Sequence, residues 1–349
     1  MSFRYPEHPF IVAEMSGNHN QSIERGFDII VAAKNAGADA IKLQTYTADT
    51  ITLDHDGSEF IVDLPLWKGR KMYDLYEEAH TPWEWHKALF DKAAEVGITM
   101  FSAPFDETAV DFLETLGNPI YKIASFELVD TPLIKYAAQA GKPIIMSTGM
   151  GTASEIKDAV DAARAGGCKD LTLLHCVSAY PASLEQCNLA TMVELGKMFP
   201  DIKIGLSDHT MGIDVPDVAV ALGAKVIEKH FTLARADGGV DSTFSLEPDE
   251  LKQLCSSTKT KKNIENTDLY KKVLGVVDFE KSEEDGGRAL RPSIYVSRPI
   301  KAGESFSLEN LRTVRPSNGL PPKNMDKVLG RKAAHDIFFG TPLTWDKVV

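Results

Sequence analysis

Two histidines and two lysines stand where apolar runs give way to loops. GLSDHTMG (205–212) carries His209 at the close of one run, and VIEKHF (226–231) carries His230 at the close of the next. Lys42 in AIKLQTY (40–46) and Lys122 in IYKIAS (120–125) are flanked by Ile, Leu or Tyr. On adjacent strands at the same height, the two imidazoles would reach one divalent cation. Mn²⁺, Co²⁺ or Zn²⁺ suits such a ligand set, with waters or substrate oxygens in the open positions. As a purely structural pair, each would instead hydrogen-bond a backbone carbonyl, and spacing alone leaves both readings open. An ammonium buried without a partner costs on the order of several kcal/mol, so two of them imply a bound anion. With Ser147 and Ser207, which also end apolar runs, they describe a site for phosphate and carboxylate.

The elements that must position these residues follow from periodicity. Short apolar, β-branched runs occur at 10–15, 40–46, 98–104, 120–125, 143–148, 171–176, 203–208 and 225–231. Helix-like segments closed by glycine separate most of them, as in IERGFDIIVAAKNAGAD and TASEIKDAVDAARAGG. Near-continuous apolar strands alternating with helices predict a closed parallel α/β barrel of the TIM (β/α)8 type, and an open doubly wound sheet is the alternative. Barrel enzymes act at the C-terminal strand ends. Period-two alternation there turns Glu14, Lys42, Gln44, Lys122, Ser147, Ser207, His209 and His230 toward the mouth. Ser125, Glu127, Ser178 and Tyr180 follow in the loops. Lys122 and Ser125 have opposite parity, so both face inward only if the strand ends between them.

The connection at 47–97 is long for a barrel loop, and Thr81, Pro82 and Glu84 have the N-cap, N1 and N3 spacing of a helix start. The insertion before that helix is expected over the mouth. Past residue 250 a lysine-rich, helical segment runs to about 272. The domain reading is a catalytic barrel at 1–275, a linker at 276–290 and a compact β-type domain at 291–349.

Lys+Arg 38 against Asp+Glu 50 gives a net charge of −12, with no basic tail, which argues against nucleic-acid or acidic-membrane affinity. No stretch approaches the roughly 18–20 apolar residues of a membrane span, and the N-terminus has no signal-peptide core, so a cytoplasmic location is expected. Cys168, Cys176, Cys187 and Cys255 form no CxxC pair. They read as free thiols, with Cys176 a small core residue.

Eight words in order, AEMSGNHN, DAIKLQTY, FSAPFDE, YKIASFE, IMSTGM, LLHCVSAYPA, GLSDHTMG and VIEKHFTLAR, resemble the sialic acid synthase family of nonulosonic acid synthases, and LRTVRPSNGL resembles its C-terminal antifreeze-like (SAF-type) domain. The resemblance implies condensation of phosphoenolpyruvate with an N-acylated amino sugar, releasing phosphate. It implies His209 and His230 as ligands of a divalent metal, Mn²⁺ foremost with Mg²⁺ or Co²⁺ as alternatives. Lys42, Lys122, Ser125, Ser147 and Ser207 would hold phosphoenolpyruvate. Glu14, Gln44, Tyr180 and Asp241 would face the sugar or a water on the metal, Ser178 would border the substrate, and Glu127 would stand near the reacting carbons. Arg315 would reach the sugar of a partner subunit in a homodimer whose C-terminal domains cover each other's barrels.

The chain departs from the sialic acid branch at AEMSGNHNQS, Ala103 and Ser178. Its insertion, together with TYTADT and RADGGVDSTFSLEP, resembles the pseudaminic acid branch more closely than the sialic or legionaminic ones. That implies a 6-deoxy, 2,4-diacetamido sugar, whose apolar wall would draw on Trp67, Tyr73, Trp83 and Trp85, with at least half of these four expected to pack the insertion on the barrel instead. A related sugar-phosphate synthase would need more basic residues at the strand ends. A glycan- or ice-binding protein with a spent barrel is the reading from another class.

Overall fold

The computed structural model describes residues 4–259, 264, 267–280 and 285–349. Parts of the expected lysine-rich helix and of the expected linker at 276–290 lie outside the described residues.

The eight apolar runs become eight parallel strands closed into a barrel: β1 (Phe10–Glu14), β2 (Ala40–Thr45), β3 (Thr99–Pro104), β4 (Tyr121–Ile123), β5 (Ile144–Ser147), β6 (Leu171–Cys176), β7 (Lys203–Asp208) and β8 (Val226–His230). Every residue of β1 is buried, as a strand covered by helices on one face and barrel interior on the other must be. The inward positions form layers along the barrel axis. Phe10, Val12, Ala40, Phe101, Ile120, Ile145, Leu174 and Val226 fill the lower interior. Two residues further along, the same side of β1, β2, β4, β5 and β8 carries Glu14, Lys42, Lys122, Ser147 and Glu228, so each chain switches from apolar to polar where the mouth begins. The registers set Glu14 opposite both Lys42 and His230, and Ser207 opposite Glu228.

The outer helices have local causes. Ser22 accepts from the Arg25 amide to start Ile23–Ala36, and Gly37 ends it in the left-handed region at φ 93°. Thr152 and Glu155 form a reciprocal capping box before Ala153–Ala165. Their apolar stripes, with Ile29, Ile30 and Ala33 on the first and Ile156, Ala159 and Val160 on the second, are fully buried in the shell around the strands.

The insertion holds helices at Ala48–Ile51 and Met72–Ala79 with a short 3₁₀ turn at Pro65–Trp67. The next helix begins at Trp83, not at Pro82. Thr81 does not cap it, because its hydroxyl accepts from His19 Nε2 at 3.2 Å while the Gln21 amide occupies Nδ1.

The C-terminal unit pairs β9 (Ser293–Val296) with antiparallel β10 (Leu311–Val314) over its own core of Ile294, Val296, Ile300, Phe306 and Leu343. It rests on the insertion. The Arg315 amide donates to the Ile51 carbonyl at 3.0 Å, Thr52 Oγ1 donates to the Arg315 carbonyl at 3.0 Å, and Leu53 and Phe60 pack against Tyr295 and Val314. Among the described residues no helix is long and apolar enough to cross a membrane.

Two histidines remote from the mouth set an acid limit. His86 Nδ1 donates to the Pro82 carbonyl at 3.1 Å and its Nε2 accepts from Thr45 Oγ1 at 2.8 Å. Burial pushes both His86 and His19 down to about 4. The unfolded chain, whose imidazoles titrate near about 6.5, therefore binds more protons than the native one between those values. Stability is full above about 6.5 and falls as the pH drops toward about 4, on the order of 3 kcal/mol per histidine. Urea unfolding at about pH 7.5 and about pH 5 should show a smaller acid loss in His86→Gln than in the parent, and an equal loss would contradict this account.

Candidate active site

The floor of the mouth is a line of buried, alternating charges. Lys42 Nζ lies 2.7 Å from Glu14 Oε2 and 3.9 Å from Glu228 Oε2, and Lys122 Nζ lies 3.7 Å from Glu228 Oε1. Lys122 also donates to Ser147 Oγ at 2.7 Å and to the Ile123 carbonyl at 3.1 Å, and Ser207 Oγ donates to Glu228 at 3.2 Å. This corrects the expectation that the lysines are buried without partners, since Glu14 and Glu228 compensate them. Glu228 was not among the expected residues, although it stands two before His230 and shares its parity.

The line continues upward. Gln44 Nε2 donates to Glu14 Oε1 at 2.8 Å and to Ser16 Oγ at 3.2 Å, and Ser16 donates to Asp241. Burial raises the Glu14 carboxyl against the pull of Lys42. Burial lowers Lys122. Burial acts against the charged form of Lys42 as well, yet Glu14 and Glu228 raise it overall.

His209 and His230 face each other with ring centroids 5.4 Å apart. His209 Nδ1 donates to the Val177 carbonyl at 2.8 Å, which fixes its tautomer and leaves the Nε2 lone pair available. Hydrogen-bonding a carbonyl and serving as a ligand are therefore compatible for this residue. His230 Nδ1 lies 3.8 Å from Asp241 Oδ2, is buried, and has no hydrogen-bond partner. Burial lowers the pKa of both imidazoles, which keeps them neutral and able to ligate. Among the described residues no group of three or more His, Cys, Asp or Glu is placed to hold a metal. Two neutral imidazoles and an orphaned ring nitrogen fit a divalent ion whose remaining positions come from water or substrate.

Twelve of the expected residues line one cavity, open at its mouth: Glu14, Lys42, Gln44, Lys122, Ser125, Ser147, Tyr180, Ser207, His209, His230, Asp241 and Arg315. Ser125 reaches it because β4 ends at Ile123 and the chain turns, Ser125 itself being helical at φ −63° and ψ −34°. Ser178 and Glu127 are not in the lining. Ser178 Oγ donates to Ser125 Oγ at 3.3 Å, and Glu127 accepts from Arg315 Nε at 3.0 Å.

Arg315 is held from all sides. Its NH1 donates to Tyr76 Oη at 3.0 Å, and its guanidinium lies 4.6 Å from the Phe126 ring centroid and 5.5 Å from that of Phe105. Within the single chain it thus completes the barrel mouth.

Of the four aromatics expected as a wall, Trp67 lines the cavity. Trp83 stacks on Phe112 at 4.7 Å, Trp85 packs edge-on to His19 at 5.6 Å, and Tyr73 Oη donates to Asp49 at 3.3 Å. Ser16, Tyr46, Tyr76 and Cys176 line the cavity without having been expected there. Ser16 and Tyr76 sit in loop and insertion, where no periodicity reports direction.

Comparison with known proteins places this arrangement. The chain matches the model of the NeuB family over residues 29–268 and that of the SAF domain over residues 291–349. It is 43% identical over 345 residues to a pseudaminic acid synthase of Campylobacter jejuni, covering 98% of this chain and 97% of that one. It is 41% identical to a pseudaminic acid synthase of Helicobacter pylori, with 97% and 98% covered. An N,N'-diacetyllegionaminic acid synthase of Legionella pneumophila is 34% identical, with 97% and 94% covered. The crystal structure of the spore coat polysaccharide biosynthesis protein spsE of Bacillus subtilis superposes with a TM-score of 0.84 at 32% identity, covering 100% of this chain and 99% of that one. A closed parallel barrel with its polar layer at the mouth and an SAF domain bearing on it make this chain a member of the NeuB family.

Proposed function

We propose that the protein is a phosphoenolpyruvate-dependent transferase that condenses phosphoenolpyruvate with 2,4-diacetamido-2,4,6-trideoxy-L-altrose, giving pseudaminic acid and phosphate in the cytoplasm. The observation that carries the reaction is the convergence of Lys42, Lys122, Ser147, Ser207 and the His209–His230 pair on one cavity. The choice of sugar rests on the pseudaminic acid synthases of C. jejuni and H. pylori, at 43% and 41% identity against 34% for the legionaminic acid synthase.

Lys122 and Ser147, joined at 2.7 Å, and Lys42 with Ser207 bind the phosphate and carboxylate of phosphoenolpyruvate. His209 and His230 would hold a divalent ion, which would supply Lewis-acid polarisation of the sugar's aldehyde group. The C2–C3 π pair of phosphoenolpyruvate then forms the new bond to the aldehyde carbon, whose oxygen takes up a proton. Positive charge develops at C2 above Glu14 and Glu228, the carboxylates that already compensate the lysines. Water adds at C2 and gives its proton to Glu14, whose affinity for a proton is raised by burial. As the bond from C2 to the bridging oxygen breaks, the hydroxyl added at C2 passes its remaining proton to the departing phosphate, leaving the keto acid and inorganic phosphate. Glu127, outside the cavity lining and joined to Arg315, orients that arginine instead of meeting the reacting carbons.

Chelator treatment should abolish phosphate release and Mn²⁺ should restore it. His209→Ala and His230→Ala should each weaken Mn²⁺ binding at least ~10-fold by calorimetry, second-sphere losses alone reaching 10–100-fold. Undiminished binding in both variants would assign the pair a structural role only.

The sugar is tested by offering the 2,4-diacetamido-6-deoxy-altrose, the legionaminic acid precursor and N-acetylmannosamine in parallel, following phosphate and product mass. The first should give the highest kcat/KM, and preference for N-acetylmannosamine would remove this assignment while leaving the synthase chemistry.

In a homodimer the Arg315–Glu127 contact would form between subunits, by exchange of the same domain across the same interface. Mixing Arg315→Ala with Lys42→Ala should then regain part of the activity. No recovery after demonstrated subunit exchange would keep the contact within each chain.

A further inference from the structure

The cavity is not uniformly polar. Above its charged floor, Trp67, Leu75, Ala79 and Val240 present a face whose side chains leave no hydrogen-bonding group free. Trp67 has a single polar atom, and that atom is committed: Nε1 donates to the Val240 carbonyl at 3.1 Å. The same bond ties the insertion to the loop that follows β8, so the two halves of the face are one unit. Its distance from the reacting end is set by Tyr180, whose ring centroid lies 4.5 Å from that of His209 on one side and 5.6 Å from that of Trp67 on the other. The face therefore stands one aromatic ring beyond the histidines, where the far end of a six-carbon chain arrives when its aldehyde lies between them.

One backbone position allows the face to close. A Cβ at Gly17 would lie 2.5 Å from Val240 Cγ2 and 3.0 Å from the Ala79 carbonyl oxygen, so any side chain there separates the insertion from the loop after β8.

We propose that Trp67, Leu75, Ala79 and Val240 form the subsite for the deoxy methyl terminus of the sugar, with Gly17 as the positioning residue that lets it form. The proposal rests on the synthase reading above and deepens it. A hydroxymethyl group in place of the methyl would lose its water and find no side-chain partner on this face. An apolar pocket rejects an added hydroxyl only moderately, by about 10–100-fold.

The experiment compares kcat/KM for the 6-deoxy sugar and for its 6-hydroxy counterpart, 2,4-diacetamido-2,4-dideoxy-L-altrose, in the full-length protein with thermal melting as the folding control. The parent should favour the methyl sugar by about 10–100-fold, mainly through KM. Trp67→Gln and Gly17→Ala should reduce the ratio to within about threefold while the KM for phosphoenolpyruvate stays unchanged. Val240→Thr, nearly the same in shape, should raise kcat/KM for the hydroxymethyl sugar, and it carries the test if Trp67→Gln misfolds. Retention of the parental ratio in folded Trp67→Gln and Val240→Thr overturns the subsite and leaves the synthase reading intact. Turnover of neither diacetamido sugar by the parent overturns that reading and the subsite with it.

Discussion

Four charges sealed inside a barrel constrain everything above them. Glu14, Lys42, Lys122 and Glu228 are each at most 6% exposed. Each would cost several kcal/mol if left unpaired, by order of magnitude, so they occur together or not at all. They sit on β1, β2, β4 and β8, and the pairing requires those strands to keep their register. A one-residue slip would turn an inward charge outward and leave its partner uncompensated. The chain holds a polar layer that makes no gain over an apolar one in stability, and its position at the C-terminal strand ends marks it as the layer that meets substrate.

That layer alone leaves an open mouth. The insertion and the C-terminal domain close it together, and they depend on each other: Arg315 bonds the insertion through its backbone and the barrel through its side chain. The insertion is thus both a wall of the cavity, through Trp67 and Tyr76, and the seat of the second domain, through Ile51, Thr52, Leu53 and Phe60. The guanidinium sits among Phe105, Phe126 and Tyr76 with Glu127 as counter-charge, so any movement of the C-terminal domain changes the mouth directly.

The His209–His230 pair differs from the charged floor in kind. Both rings are held neutral by burial, one with its tautomer fixed by the Val177 carbonyl and the other with a nitrogen lacking any partner. The floor is compensated within the protein, whereas the histidines keep ligating capacity in reserve. The site thus separates a charge-compensated floor from a histidine pair that keeps ring nitrogens open.

The barrel and most of its mouth were legible in the linear chain because strand periodicity is local. Eight apolar runs gave eight strands, and alternate residues near their ends pointed the same way. Glu228 was legible by the same rule, two residues before His230 on the same strand. Which charges pair with Lys42 and Lys122 was beyond the sequence, since strand parity reports the direction of a side chain and not which groups meet across strands. So were the placements of Glu127 and Ser178, which follow from a turn after β4 and from the loop after β6. Loops and insertions carry no period to report where a side chain points. For that reason the sequence determined which residues the barrel would bring to its mouth. Only the tertiary structure decided which of them face the cavity, which charges cancel, and that of the four expected aromatics Trp67 alone lines it.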